Sequence, residues 1–338
     1  MPGFRIRASL RPARLSRQST AVIALSPPAL AQLREDYYDT DCPTLMDIMR
    51  NAMDIVAEND PVNLPALLRL WSHDAMVSGA DGSVLLSSRP GAKKPAEKAE
   101  KDAPPNLTLF GFEAVEFLKS AVELECPGTV SCADILAISA QLAVELTGGP
   151  VFQSLLGRKD SRTSHYNDGV DELPGETMNM TQLVKSFAAM GLTQRDLVVL
   201  SGAHTIGFAH CSGFMYRLYN YNSTTAADPT LDWTLADQLR RVCPKRNADP
   251  NRVQALDITT IENFDNGYYF NLQLAEGILE SDQLLYEDPS TRSLVDIFAD
   301  DKDAFFLAFV ESMIKLGNNR VLTGEQGEIR EVCDKVND

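Results

Sequence analysis

The chain holds four histidines, and two of them stand in settings that can do chemistry. Arg69 and His73 are four residues apart in Arg69-Leu70-Trp71-Ser72-His73-Asp74, so on a helix both project from one face. A fixed cation beside a neutral imidazole can take a proton from a small acid and stabilise charge on its leaving group. A core histidine with an arginine at its rim has the same spacing. His204 follows the apolar run 197–200 and lies in Ser201-Gly202-Ala203-His204-Thr205-Ile206-Gly207. A lone imidazole among small residues suits an axial ligand to a flat cofactor, because small neighbours let a large ring approach. A satisfied core histidine has this setting too. His165 sits in a polar stretch, and His210 is expected to face elsewhere on a helix; neither is given a role. No two histidines have zinc-ligand spacing, which excludes a metal hydrolase.

Oxygen donors form two further groups. Asp74, Val77, Gly79, Asp81 and Ser83 alternate in a tight loop. Asp and Ser side chains with Val and Gly carbonyls suit Ca²⁺, and an ordinary Gly-Asp turn reads similarly. Thr205 with Asp257, Thr260 and Asp265 makes a second oxygen-rich set, split in sequence.

Helices must position these groups. Apolar residues recur at helical spacing over 43–58, 64–77, 112–124, 131–146, 181–190, 268–276, 293–299 and 304–316. Asn63 is a candidate cap and Pro65 fits a first turn. Gly148-Gly149-Pro150 stops the fourth helix. Thr193-Gln194-Arg195-Asp196 reads as a capping box opening a helix over 197–204. Segments 88–106, 158–174 and 223–232 read as loops, and strand signals are sparse. The class is mainly α, with long loops that disulfides or metals would hold.

With 338 residues, 44% hydrophobic and 23% charged, the chain suits one large domain or two lobes sharing a core. No run of about 18 apolar residues exists, so no membrane span is expected. Residues 1–31 carry Arg5, Arg7, Arg11, Arg14 and Arg17, no acid, an apolar stretch at 21–25 and Ala29-Leu30-Ala31. That is a secretory signal peptide cleaved before Gln32, or alternatively an organellar transit peptide. Without it, Lys+Arg falls from 31 to 26 against 47 acidic residues, and the formal charge moves from −16 to −21. So acidic a surface excludes nucleic acid and anionic lipid as partners. The even cysteine count, Cys42, Cys126, Cys132, Cys211, Cys243 and Cys333, suits three disulfides in an oxidising compartment, with many pairings open.

Taken together, these residues resemble the secreted plant haem peroxidases (class III) over about 32–337. The motif Asp196-Leu197-Val198-Val199-Leu200-Ser201-Gly202-Ala203-His204-Thr205-Ile206-Gly207 is similar to that family's proximal haem motif. Typical too are Val130-Ser131-Cys132-Ala133-Asp134-Ile135-Leu136-Ala137, Phe264-Asp265-Asn266-Gly267-Tyr268-Tyr269 and Leu316-Gly317-Asn318-Asn319-Arg320-Val321-Leu322-Thr323-Gly324. The resemblance implies the haem peroxidase fold, two helical lobes, distal and proximal, sandwiching one haem b. It implies a monomer, secreted to the cell exterior or alternatively held in the vacuole, that uses hydrogen peroxide to oxidise small aromatic, phenolic donors. His204 matches the axial ligand of haem iron, and Asp282 the carboxylate bonded to it. His73 matches the distal base, Arg69 the cation beside it, and Asn106 the residue that orients His73.

The resemblance also implies two Ca²⁺ sites. Asp74, Val77, Gly79, Asp81 and Ser83 match the distal one, with Glu100 reaching it through water. Thr205, Asp257, Thr260, Asn263 (by carbonyl) and Asp265 match the proximal one. Pro174 matches the proline at the donor-binding edge. The implied disulfides are Cys42–Cys126, Cys132–Cys333 and Cys211–Cys243, while Ala75 and Ala80 replace a usual fourth pair. The family's distal helix usually reads R-L-H-F-H-D-C, and here it is R-L-W-S-H-D-A. Ser72 therefore stands where a phenylalanine walls the haem, which predicts slower reaction with peroxide and a centre open to direct oxygen transfer. Trp71 is either an oxidisable residue or core packing. The alternative function is a haem- and calcium-stabilised extracellular binding protein with weakened peroxidase activity. Asn106, Asn179 and Asn222 lie in glycosylation sequons; Asn106 is expected to stay bare and Asn222 to be the better acceptor.

Overall fold

The computed structural model describes residues 33–246, 249 and 251–338, so the leader expected over 1–31 lies outside the described residues. The described chain is mainly helical. In order come α1 (Leu45–Asn59), α2 (Asn63–Met76), α3 (Phe112–Glu125), α4 (Cys132–Leu146), α5 (Tyr166–Asp171), α6 (Met180–Ala189) and α7 (Gln194–Ser201). Then follow α8 (Met215–Tyr219), α9 (Trp233–Val242), α10 (Gly267–Gln273), α11 (Glu280–Glu287), α12 (Arg292–Asp300) and α13 (Lys302–Gly317). The short strands β1 (Phe208–His210) and β2 (Val253–Ala255) pair antiparallel, Phe208 opposite Ala255. None of the described helices is long and apolar enough to cross a membrane.

The fold is organised on α4. Its Ser131 hydroxyl accepts from the Asp134 amide at 3.1 Å, satisfying one of the helix's open donors. From Cys132 to Val144 every residue is buried, as expected of a helix apolar all round. α2 packs on α4, with α1 and α3 beside them. On the other side α7, α10, α12 and α13 pack together, and α13 also meets α2. One large core unites these helices; a smaller one gathers Phe214, Leu218, Leu235, Leu239 and Ile278 around α8 and α9.

A buried ion pair joins two of the sequence motifs. Arg158 Nη1 donates to Asp134 at 2.8 Å, and Arg158 Nη2 donates to the Gly317 carbonyl at 2.6 Å. Tyr38 adds its hydroxyl to Asp134 at 2.8 Å. Deleting one partner of such a pair strands a buried charge, a loss of about 3–5 kcal/mol. All three implied disulfides are present: Cys42–Cys126, Cys132–Cys333 and Cys211–Cys243.

Several expectations need correction. His210 lies in β1, not on a helix. The stretch 158–174, expected to be irregular, contains α5. Asn63 does not cap α2; it is the first helical residue, and its Nδ2 donates to the Asp60 carbonyl at 3.1 Å. The expected helix over 197–204 starts earlier, at Gln194, and tightens into a 3₁₀ turn at Gly202–Thr205.

Candidate active site

His73 sits near the end of α2, and its surroundings specify its protonation. Its Nδ1 lies 2.7 Å from Asn106 Oδ1. Asn106 Nδ2 donates to the Glu100 carbonyl at 2.8 Å, so Oδ1 is left to accept. His73 therefore carries its proton on Nδ1 and presents the lone pair of Nε2. Burial, then the Arg69 charge, pushes its pKa down to about 3, which keeps the ring neutral.

Arg69 is one turn before His73 on α2. Its guanidinium donates to the Thr108 carbonyl and hydroxyl, both at 3.1 Å, and to the Pro105 carbonyl at 3.3 Å. The structure thus ties Arg69 to the loop that carries Asn106. Burial presses on its charge, and Glu176 opposes that effect. Ser72 turns its hydroxyl onto the Arg69 carbonyl at 2.8 Å, a local helix bond. Trp71 is 3% exposed and packs against Gly317, so core packing is its role.

His204 stands on the 3₁₀ turn after α7. Its Nδ1 meets both Asp282 oxygens, at 2.9 and 3.1 Å. Burial lowers the imidazole's pKa, but the Asp282 charge and hydrogen bond outweigh it and hold it above its ordinary value. Tyr268 donates a second bond to Asp282 Oδ1 at 2.9 Å. Tyr268 was visible in the sequence only as part of a motif, without a role. Gly202 also serves packing. A Cβ there would lie 2.4 Å from the Tyr269 hydroxyl and 2.7 Å from Phe305, so the small residue makes room for packing.

The residues present fit an axially bound flat cofactor. Among the described residues, hydrogen bonds engage only Nδ1 of each imidazole. His204 keeps 38% of its side chain accessible although helices enclose it, and each ring lies within electrostatic reach of the other. Each imidazole thus keeps its Nε2 without a hydrogen-bond partner among the described residues.

The two calcium sets are brought together differently. Around the proximal set, a Cβ on Gly267 would lie 2.8 Å from Asp257 Oδ2, 2.8 Å from Thr260 Oγ1 and 2.9 Å from Asp265 Oδ1. Thr205 Oγ1 lies 3.1 Å from Asp257 Oδ2 and 3.4 Å from the Asn263 carbonyl. Five oxygen donors therefore converge on one point, a hard-cation cradle. In the distal set, Asp74, Asp81, Ser83 and Glu100 are all buried. Burial, then neighbouring carboxylate charge, pushes Asp74 up to about 8 and Glu100 up to about 9. Among the described residues, Ser83 Oγ and Glu100 Oε2 have no hydrogen-bond partner. A cation would relieve all three conditions. Among the described residues, no cluster of three or more His, Cys, Asp or Glu could hold an ion by such side chains alone; hydroxyl and carbonyl donors must complete each set. Pro174 lies half-buried between α5 and α6, two residues before Glu176.

Fold and site together define a mainly helical protein with two imidazoles, each held at Nδ1 by a side-chain partner. Residues 49–301 match the family model described as Peroxidase. The chain is 40% identical over 318 residues to a lignin-forming anionic peroxidase of Nicotiana tabacum, covering 94% of this chain and 96% of that one. It is 41% identical to peroxidase 15 of Ipomoea batatas, covering 96% and 98%. It is 43% identical to peroxidase 22 of Arabidopsis thaliana, covering 91% and 87%. The chain belongs to the peroxidase family: it is a haem peroxidase, an oxidoreductase that uses hydrogen peroxide.

Proposed function

We propose that this peroxidase oxidises small phenolic donors, with His73 as peroxide base and His204 as ligand of haem b. The observation that carries this reading is the pairing of two oppositely prepared imidazoles. His73 has its Nδ1 proton held by Asn106, and His204 has its Nδ1 proton held by Asp282. His204 Nε2 would hold the iron. Haem iron, when bound, supplies the two-electron reduction of peroxide and retains the oxidising equivalents until two donors each yield one electron.

His73 Nε2 takes the proton of an incoming peroxide and returns it to the departing oxygen. Its low basicity as a buried ring makes that return easy. Arg69, a permanent cation on the same helix face, opposes the negative charge that builds on the departing oxygen. Asp282 strengthens the His204 imidazole as an electron donor and fixes its direction. The Pro174 loop forms the donor edge, which the closeness of Glu176 to Arg69 supports.

Two Ca²⁺ ions would occupy the Asp74–Ser83 loop with Glu100 and the Thr205–Asp265 cradle. Residues 1–31 serve as a signal peptide and 32–338 as one peroxidase domain, a secreted monomer. Three disulfides suit that compartment. Asn106 is 2% exposed with both amide ends engaged, so glycans belong on Asn222 or Asn179.

His204→Ala provides the test. The purified, haem-reconstituted variant should lose the Soret band of the unsubstituted protein and its turnover of 2-methoxyphenol. A retained band and retained turnover would remove His204 from the iron.

A further inference from the structure

Two tyrosines outside this site share one carboxylate on its supporting helix. Tyr216 on α8 donates its hydroxyl to Glu280 Oε2 at 2.9 Å, and Tyr221, two residues past α8, donates to Glu280 Oε1 at 2.7 Å. Their rings lie nearly parallel, 15° apart, with centroids separated by 6.4 Å. Glu280 begins α11, two residues before the Asp282 that holds His204. The Ser281 amide donates to the Glu176 carbonyl at 3.2 Å, which joins this corner to the donor-edge loop. Both tyrosines are half-exposed. Tyr216 lines a groove of about 280 Å³ with Met215, Tyr219, Asn220 and Lys245.

We infer that Tyr216 and Tyr221 form a second oxidation site, where the enzyme takes electrons from donors too large to reach His73. A phenol is hard to oxidise when its proton has nowhere to go, because a charged radical is left behind. Here the proton moves to Glu280 along an existing short bond as the electron leaves. Burial, then the bond to Glu280, raises both phenol pKa values, so the groups stay protonated until oxidised.

The step balances. One electron leaves the tyrosine for the reduction of peroxide, and its proton passes to Glu280. The resulting phenoxyl takes one electron from the outside donor and recovers its proton from Glu280. The oxidised donor, if a phenol, sheds its own proton to water. Two such cycles supply the two electrons that one peroxide consumes.

The inference presupposes the peroxidase chemistry above, which a small-donor control tests separately. Holoenzyme with any glycan removed, so that no sugar on Asn222 shields Tyr221, would be treated with peroxide and a nitroso spin trap, then mapped by peptide mass spectrometry. The trap should add at Tyr216 or Tyr221. Oxidation of reduced cytochrome c, a donor too large to enter the protein, should fall about tenfold or more in Tyr216→Phe/Tyr221→Phe, equivalent to about 1.4 kcal/mol in barrier. Turnover of 2-methoxyphenol should stay within about twofold. Glu280→Gln keeps an acceptor oxygen but removes the base, and should also slow cytochrome c oxidation and lower trap yield. No adduct at either tyrosine, or unchanged cytochrome c oxidation in both variants, overturns the proposal. So does an equal loss with 2-methoxyphenol, which would make the cluster a brace for Asp282.

Discussion

Asn106 shows how one residue sets the chemistry of another. Its amide nitrogen is spent on the Glu100 carbonyl, so only its oxygen faces His73. Alanine there would leave the His73 tautomer and ring direction unspecified. The rate of reaction with peroxide, followed by stopped-flow absorption, should fall about 10- to 100-fold in Asn106→Ala, with the His204 side of the spectrum unchanged. A rate within about twofold of the parent would show that His73 needs no such partner. Ser72 is the contrasting case. That a serine stands where the resemblance implies an aromatic wall was readable in the sequence, but the hydroxyl's bond to the Arg69 carbonyl was not. That bond satisfies the hydroxyl's donor within its own helix.

At the scale of elements, α7 matters most because it delivers His204. Thr193 accepts from the Asp196 amide, and Asp196 accepts from the Thr193 amide at 2.6 Å, closing both ends of a capping box. Asp196 also meets Ser312 at 2.9 Å and Lys315, both on α13. Burial alone would raise the Asp196 carboxyl, but Lys315 and the Thr193 and Ser312 donors outweigh it and hold its pKa at about 2. In the unfolded chain it returns to about 3.9. Between those values the unfolded state binds more protons, so stability is present above the unfolded pKa and is lost as pH falls toward about 2. Urea midpoints measured between about pH 5 and pH 2 should fall in the parent. Asp196→Asn should start lower at neutral pH and decline less across that window. An equal decline would place the acid-sensitive contact elsewhere.

The capping box on α7 was legible because it is a local signal, written within four residues. α11 was not, although it carries Asp282. Its sequence, Glu280-Ser281-Asp282-Gln283-Leu284-Leu285-Tyr286-Glu287, is short and acidic, and packing against α10 and α12 stabilises it rather than periodicity. Likewise β1 exists only through its pairing with β2, more than forty residues away, so His210 looked helical in isolation. The tie of Arg69 to Thr108 spans 39 residues and left no trace in local spacing.

At the scale of the whole molecule, covalent ties and charge act over the longest distances. Cys132–Cys333 links the start of α4 to the chain's last turn, across 201 residues. In the chain-entropy model a loop of that length contributes about 5 kcal/mol by restricting the unfolded chain. Charge acts instead on encounters. The chain carries a formal −16, and residues 32–338 alone carry −21. Such a field attracts cationic donors and repels anionic ones before any contact is made. At about 0.01 M salt the field reaches about 30 Å, and at 1 M only about 3 Å. Raising salt across that range should therefore lower kcat/KM for a phenolic amine such as tyramine, raise it for a phenolic carboxylate such as 4-hydroxycinnamate, and leave it flat for 2-methoxyphenol. Steady-state rates on the three donors at each salt concentration check this. Opposite slopes for amine and carboxylate are required; slopes of the same sign would mean that local groups at the donor edge, not the net charge, govern approach.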